Sequence, residues 1–254
     1  MVILVDVGNT NTVFGVFEGD SLKAQFRLST DPERTADEYA SLILPLLERA
    51  GLDPEDSEAI MISSVVPTLT PTLKRLSESL FGHEPVFVGP DVKTGLPILY
   101  KNPAEVGADR VVNAVAAKEL YGSPVIVVDF GTATTFDLVS SSGEYAGGII
   151  APGLEISAEA LFSHASRLYR VDVRKPPQLV ANNTAGAMQS GLYFGYLGLV
   201  DGILERLLRE VEGVKTVVAT GGQADLLAEG SQYIEQVNPD LTLLGLKIIY
   251  DLNQ

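Results

Sequence analysis

Apolar residues along this chain fall into short runs that break at glycine, asparagine or aspartate, and two of those runs spell nearly the same thing. Val2-Ile3-Leu4-Val5-Asp6-Val7-Gly8-Asn9-Thr10-Asn11-Thr12 returns as Val125-Ile126-Val127-Val128-Asp129-Phe130-Gly131-Thr132-Ala133-Thr134-Thr135. Each reads as a buried strand, a tight turn and a returning strand, with the glycine giving conformational freedom and the small polar residues giving donors at the turn. One such turn is an ordinary hydrophilic hairpin. Two in register point to duplication of a whole structural unit, and two turns facing each other across a cleft would clamp a polyphosphate.

The pattern continues as a meander. Residues 2–7, 12–18 and 22–28 read as strands, with Gly19-Asp20 as a turn. Thr35 and Glu38 form a capping box ahead of Tyr39, Ile43, Leu46, Leu47 and Ala50 at helical spacing, and Pro45 is expected to kink that helix. Residues 59–66 read as a strand stopped by Pro67. Thr70-Pro71 starts a helix carrying Leu73, Leu76 and Leu80, and 85–89 is a short strand. The second half repeats the order: strands near 124–129, 133–139 and 144–150, a helix from about 155, a long helix over 184–211, a strand at 214–219 and a last helix over 241–252. Asn102-Pro103 is expected to cap a helix running to Tyr121 that joins the halves. A meander followed by alternating helix and strand, twice over, predicts an α/β chain of two ribonuclease H-like domains, 1–117 and 118–254, with no flexible linker between them.

Composition narrows the function. The formal charge of −15, from 18 basic and 33 acidic residues, should repel nucleic acid and anionic membrane, so neither is expected as a partner. No apolar stretch approaches the roughly 18 residues of a membrane span, and no basic leader precedes the first strand, so a soluble cytoplasmic protein is expected. With no cysteine, thiolate catalysis and Cys-based zinc sites are out. His83 and His164 are the only histidines and lie far apart, which makes a histidine metal site a poor reading. A P-loop is excluded because no GxxxxGK[ST] run exists.

The two Asp-x-Gly turns, Gly147-Gly148 and Thr220-Gly221-Gly222 resemble the acetate and sugar kinase, Hsp70 and actin superfamily, whose members hold ATP between two such domains; the resemblance implies that the two turns are its phosphate motifs and Gly221-Gly222 its adenosine motif. More specifically, Asp6 to Thr12, Asn102-Pro103 with Glu105 to Arg110, Asp129 to Thr135, Gly147 to Gly153, and Asn183-Thr184 with Ala187 to Gly191 resemble type III pantothenate kinase, in that family's order. There are two departures. A proline expected near Tyr169 is missing, and Ala181 stands where the family usually has glycine, which bears on the geometry around Thr184.

The resemblance implies phosphorylation of pantothenate by ATP, the first step of coenzyme A biosynthesis, by a homodimer. It assigns Asp6, Val7, Gly8, Asn9, Thr10, Asn11, Thr12 and Val13, with Thr132, to ATP. Asp6 would organise Mg²⁺ through water, and Asp129 would bind a monovalent cation, K⁺ or NH₄⁺. Tyr100, Gly107, Ala108, Asp109, Arg110 and Thr184 would line the pantothenate site, with Asp109 as the base. On the residues alone, Asp109 also fits a surface aspartate favoured by a helix N-terminus, and Tyr100 a half-buried loop aromatic. Arg110 fits an anionic ligand better than Glu105, which is badly spaced for one helix face. The apolar run Leu192–Leu208 suits a dimer interface or a core helix equally. Two other readings are a non-catalytic regulator like the Bvg accessory factor of the same family, and a superfamily kinase acting on a sugar or small acid. The intact Asp6, Asp109 and Asp129 disfavour the first, and the Glu105 to Arg110 block disfavours the second.

Overall fold

The computed structural model describes residues 1–254 and divides into two compact units, Met1–Ala116 with Leu241–Gln254, and Ala117–Asp240. In the first unit, β1 (Val2–Val7), β2 (Asn11–Glu18), β3 (Ser21–Ser29), β4 (Ala59–Ser64) and β5 (Val86–Phe87) form a sheet in the order β3-β2-β1-β4-β5. In the second, β6 (Val125–Phe130), β7 (Ala133–Val139), β8 (Tyr145–Pro152), β9 (Thr216–Gly221) and β10 (Gln236–Val237) repeat it as β8-β7-β6-β9-β10. In both sheets the first three strands are antiparallel and the last two run parallel to the first. The duplication read from the sequence is therefore one of topology.

Strand alternation sets each core. Ile3, Val5 and Val7 of β1 point to the same face as Phe14, Val16, Ile60 and Ile62, where Tyr39, Ile43 and Leu47 of α1 (Ala36–Arg49) and Leu73 and Leu76 of α2 (Thr70–Leu76) cover them. The capping box that starts α1 is formed: Glu38 N–H donates to Thr35 Oγ1, and Thr35 N–H donates to Glu38 Oε2 at 2.7 Å, holding the Glu38 carboxyl below its ordinary range. The helix runs through Pro45 to Arg49. Pro45 and Ser41, whose carbonyl the proline cannot serve, are both exposed, so water can satisfy that carbonyl.

The α3 helix (Ala108–Tyr121) begins later than expected. Asn102 caps only a 3₁₀ turn, Pro103–Glu105, by accepting the Ala104 N–H. Val106 then turns inward to 8% exposure, and the α-helix restarts at Ala108, which puts Asp109 in its first turn rather than two turns in. In the second unit, Ile126, Val128, Phe130 and Phe136 pack against Tyr196, Val200 and Leu204 of α5 (Thr184–Glu210) and Leu227 of α6 (Ala224–Ala228). One face of the Leu192–Leu208 run is thus core.

The expected division at 117/118 leaves the last helix, α7 (Leu241–Asp251), with the second domain, whereas its contacts group it with the first unit. A side chain at Gly15 of β2 would meet Leu243, one at Gly245 would meet the Val112 carbonyl, and Thr242 Oγ1 hydrogen-bonds Asn113 Oδ1 at 2.7 Å. Lys247, almost buried, reaches Asp20 and Asp251 at 3.2 and 2.6 Å. These contacts are set by tertiary packing, which no boundary signal in the local sequence reports.

Candidate active site

In the first unit the turn after β1 is braced from behind. Gly8 N–H donates to the Asn11 carbonyl at 3.0 Å, and Thr30, just past β3, makes three bonds to the same turn. Its N–H donates to Thr10 O at 2.9 Å and its hydroxyl to Gly8 O at 2.7 Å, while Thr12 Oγ1 lies 2.9 Å from Thr30 Oγ1. Because Thr30 gives its one hydroxyl proton to Gly8, Thr12 is the donor in that pair. Thr12 and Val7 are fully buried, so of the residues assigned to ATP here, Asn9, Thr10 and Asn11 are the exposed ones. Asp6 is half-buried and stands beside Ser63 in the parallel β1–β4 ladder.

At the start of α3, Asp109 Oδ1 accepts the Arg110 N–H at 2.8 Å. A side chain on Gly107 would place its Cβ 2.5 Å from that oxygen and 3.5 Å from Val65 Cγ1, so the glycine makes room for the carboxylate. Ala108 and Asp109 are partly exposed, Arg110 is buried at 7% exposure, and Glu105 accepts from Asn102 Nδ2 at 3.0 Å. Tyr100 is half-buried in the irregular segment before the 3₁₀ turn.

In the second unit the turn after β6 is one residue shorter. Val7 pairs with Thr12, whereas Phe130 pairs with Thr134, so the equivalent of Thr12 is Thr134 and not Thr135 as the matched sequences suggest. Both threonines are fully buried. Gly131 N–H donates to Ala133 O and Gly153 N–H to Thr132 O, each at 3.1 Å. A Cβ on Gly153 would come within 2.2 Å of the Thr132 carbonyl oxygen, so only glycine fits against this turn. Tyr196 of α5 donates to the Pro152 carbonyl at 2.9 Å and pairs with the Thr134 hydroxyl. Burial raises the Tyr196 phenol above its ordinary range and keeps it a donor.

Asp129 is half-buried, with Oδ1 lying 2.6 Å from where a Gly221 Cβ would stand. Thr132 is exposed on the turn. Thr184 opens α5, capped by Asn183, whose Oδ1 accepts the Gly186 N–H at 2.8 Å. The Ala181 methyl packs over Gly186, so the departure from the family pattern is accommodated beside an intact cap. Thr184 borders an apolar groove of about 570 Å³ with Leu161, Leu168, Met188 and Leu192. His83 is structural: its ring nitrogen meets the Ser57 carbonyl at 2.6 Å. The bracing roles of Thr30 and Gly153 go beyond the sequence reading: Gly153 lies within the Gly147 to Gly153 motif, but nothing near Thr30 signals that it reaches back to the first turn.

Residues 2–206 match the model of the family described as type III pantothenate kinase. A type III pantothenate kinase of Geobacter sulfurreducens is 54% identical over 254 residues, covering all of both chains, and one of Myxococcus xanthus is 54% identical over 253 residues, covering all of this chain and 99% of its own. Among solved structures, an inorganic polyphosphate/ATP-glucomannokinase from Arthrobacter superposes with a TM-score of 0.51 at 14% identity, covering 100% of this chain and 99% of that one. The activator of 2-hydroxyisocaproyl-CoA dehydratase from Clostridium difficile gives 0.55 at 11% identity, covering 99% and 95%. These two likenesses are of fold, the two-domain α/β arrangement of actin-like ATPases and sugar kinases.

Proposed function

The chain belongs to the type III pantothenate kinase family, and we propose from this that it transfers the γ-phosphoryl group of ATP to pantothenate, giving 4′-phosphopantothenate and ADP at the first step of coenzyme A biosynthesis. The observation that carries the reading is the family match over residues 2–206, together with a relative 54% identical along the whole chain. The Asp109 carboxylate, cleared by Gly107, is the geometric feature that bears most on chemistry.

Phosphoryl transfer through a loose transition state asks for alignment and charge neutralisation more than for covalent chemistry. Asp109 receives the proton of the pantothenate hydroxyl. One of its oxygens already accepts the Arg110 N–H, which holds the carboxylate at the start of α3, and in a loose transition state its main task is to orient the hydroxyl. Arg110 meets the pantothenate carboxylate, with Gly107, Ala108, Tyr100 and Thr184 against the rest of the substrate. Asn9, Thr10 and Asn11 supply donors for phosphate oxygens, Asp6, Val7, Gly8, Thr12 and Val13 shape that turn, and Thr132 contacts ATP.

Asp6 offers a carboxylate, with the hydroxyl residue Ser63 opposite it in the β1–β4 ladder, oxygen donors that a hard cation accepts, and it would hold Mg²⁺ through water. That ion supplies charge neutralisation at the phosphates. Asp129 serves a monovalent cation. We further assign the chain to the cytoplasm as a homodimer. No helix is long and apolar enough to cross a membrane, and Ile150, Ile156 and Leu161 leave apolar surface exposed on β8 and on α4 (Leu154–His164). The test is ADP release from Mg-ATP with pantothenate against a panel of sugars and acetate, with and without K⁺. A sugar or acetate turned over faster than pantothenate would overturn the assignment.

A further inference from the structure

Thr135 stands directly opposite Asp129 in the antiparallel β6–β7 ladder. Their side chains rise from the same face of the sheet, with Cβ atoms about 4.5–5.5 Å apart, the spacing of cross-strand pairs. Thr135 has one hydroxyl proton, and it is given to Asp137 Oδ2 at 2.8 Å. Asp137 lies two residues along β7 on the same face, fully buried, and its Oδ1 accepts the Tyr145 hydroxyl at 2.6 Å. Tyr145 is fully buried as well, so this acceptor is fixed in place.

A hydroxyl that has spent its only proton presents nothing but lone pairs to its other side. Thr135 therefore cannot donate to Asp129, although the two face each other. A carboxylate oxygen and a lone-pair-only hydroxyl oxygen set side by side both attract a cation placed between them. One carboxylate charge and a neutral oxygen make a weak, all-oxygen donor set, which fits a large monovalent ion and lacks the nitrogen or sulfur ligands that transition metals prefer. Groups that hold a metal's ligands in orientation commonly matter to affinity by about 10–100-fold.

We propose that Asp137 is a positioning residue that fixes the Thr135 hydroxyl as a lone-pair ligand, so that Asp129 and Thr135 together hold the monovalent cation. This rests on the reading of Asp129 as the cation site and adds to it a second ligand and the residue that prepares that ligand. Asp137→Asn replaces an acceptor by an amide that can donate to Thr135, which turns the hydroxyl proton toward Asp129.

The experiment titrates K⁺ against Na⁺ at constant ionic strength into wild type, Asp137→Asn, Thr135→Val and the double variant. It has two readouts: the K⁺-dependent rise in unfolding temperature, and the K⁺ concentration giving half-maximal ADP formation. The expected result is a shift to about tenfold higher K⁺ or more in each single variant, with the double variant no worse than Thr135→Val alone. If burial makes Asp137→Asn fail to fold, Thr135→Val and Thr135→Ser still decide the ligand, since only the first should shift. A wild type that ignores K⁺ in both readouts overturns the Asp129 reading and this inference with it. A responsive wild type with Thr135→Val within twofold of it, or single effects that add in the double variant, overturns this inference alone.

Discussion

The Asp109 carboxylate accepts the backbone N–H of its own neighbour Arg110 at 2.8 Å, with the bare Cα of Gly107 beneath it. The proposed base is thus tied to the first turn of its helix. Asp109→Asn keeps a carbonyl acceptor for that N–H and removes only the charge and basicity. Turnover is expected to fall by about 10²-fold or more, the range of acid–base groups, while the fold and ATP binding persist. Steady-state kinetics within threefold of wild type would show that Asp109 is not the base.

Gly107→Ala probes the same contact from the other side. Its Cβ would sit 2.5 Å from Asp109 Oδ1, and that oxygen is the end of a movable side chain, so the carboxylate gives way and the backbone does not. The unfolding temperature should stay near wild type while kcat drops. A variant with full activity would mean that the position of the carboxylate does not matter.

Arg110, next to Asp109 in the chain, is buried, and its proposed task is to meet the carboxylate of pantothenate. Arg110→Ala is expected to raise KM for pantothenate more than for ATP. A neutral amide analogue of pantothenate should lose less on the variant than pantothenate does. Equal losses for acid and amide would remove the contact.

Much of this arrangement was legible in the sequence because it depends on local pattern. The apolar runs read as strands at 2–7 and near 124–129 form buried strands at Val2–Val7 and Val125–Phe130, and the capping box at Thr35 and Glu38 forms as read. The failures have physical causes. Asn102-Pro103 signals an N-terminus equally well for a 3₁₀ turn and for an α-helix, so the start of α3 was set too early. A one-residue deletion inside a small-residue turn leaves the letters nearly matched while shifting every partner beyond it, so Thr134 and Thr135 could not be told apart. Thr30 and α7 act through contacts distant in sequence, and the short α6 and β10 carry too few residues for a period to show.

Tyr196 ties α5 to the second turn through the Pro152 carbonyl and the fully buried Thr134 hydroxyl. Tyr196→Phe leaves that hydroxyl without this partner, at a cost of about 1–3 kcal/mol for a buried polar group. Denaturant unfolding should show a lower midpoint with an unchanged slope. An unaltered midpoint would mean that Thr134 finds another partner.

The adjacent glycines of Thr220-Gly221-Gly222 should separate cleanly under the same substitution. Gly221 has φ of +91°, a conformation an L side chain rarely adopts, and an added Cβ would lie 2.6 Å from both Asp129 Oδ1 and the Phe130 carbonyl oxygen. The carboxylate can swing away, but the Phe130 oxygen belongs to the β6 backbone, so the strand end that carries Asp129 must shift. Gly222 has no atom within 4 Å of its missing Cβ and no left-handed φ, so nothing in the folded chain itself requires glycine there. Gly221→Ala is therefore expected to lower the unfolding temperature by several degrees and to blunt the response to K⁺. Gly222→Ala should unfold with wild type and raise only KM for ATP, the mark of a glycine kept for the close approach of the adenosine. Equal destabilisation by both would place the two glycines in a purely structural turn, and an unchanged KM for ATP in Gly222→Ala would remove the adenosine from that position.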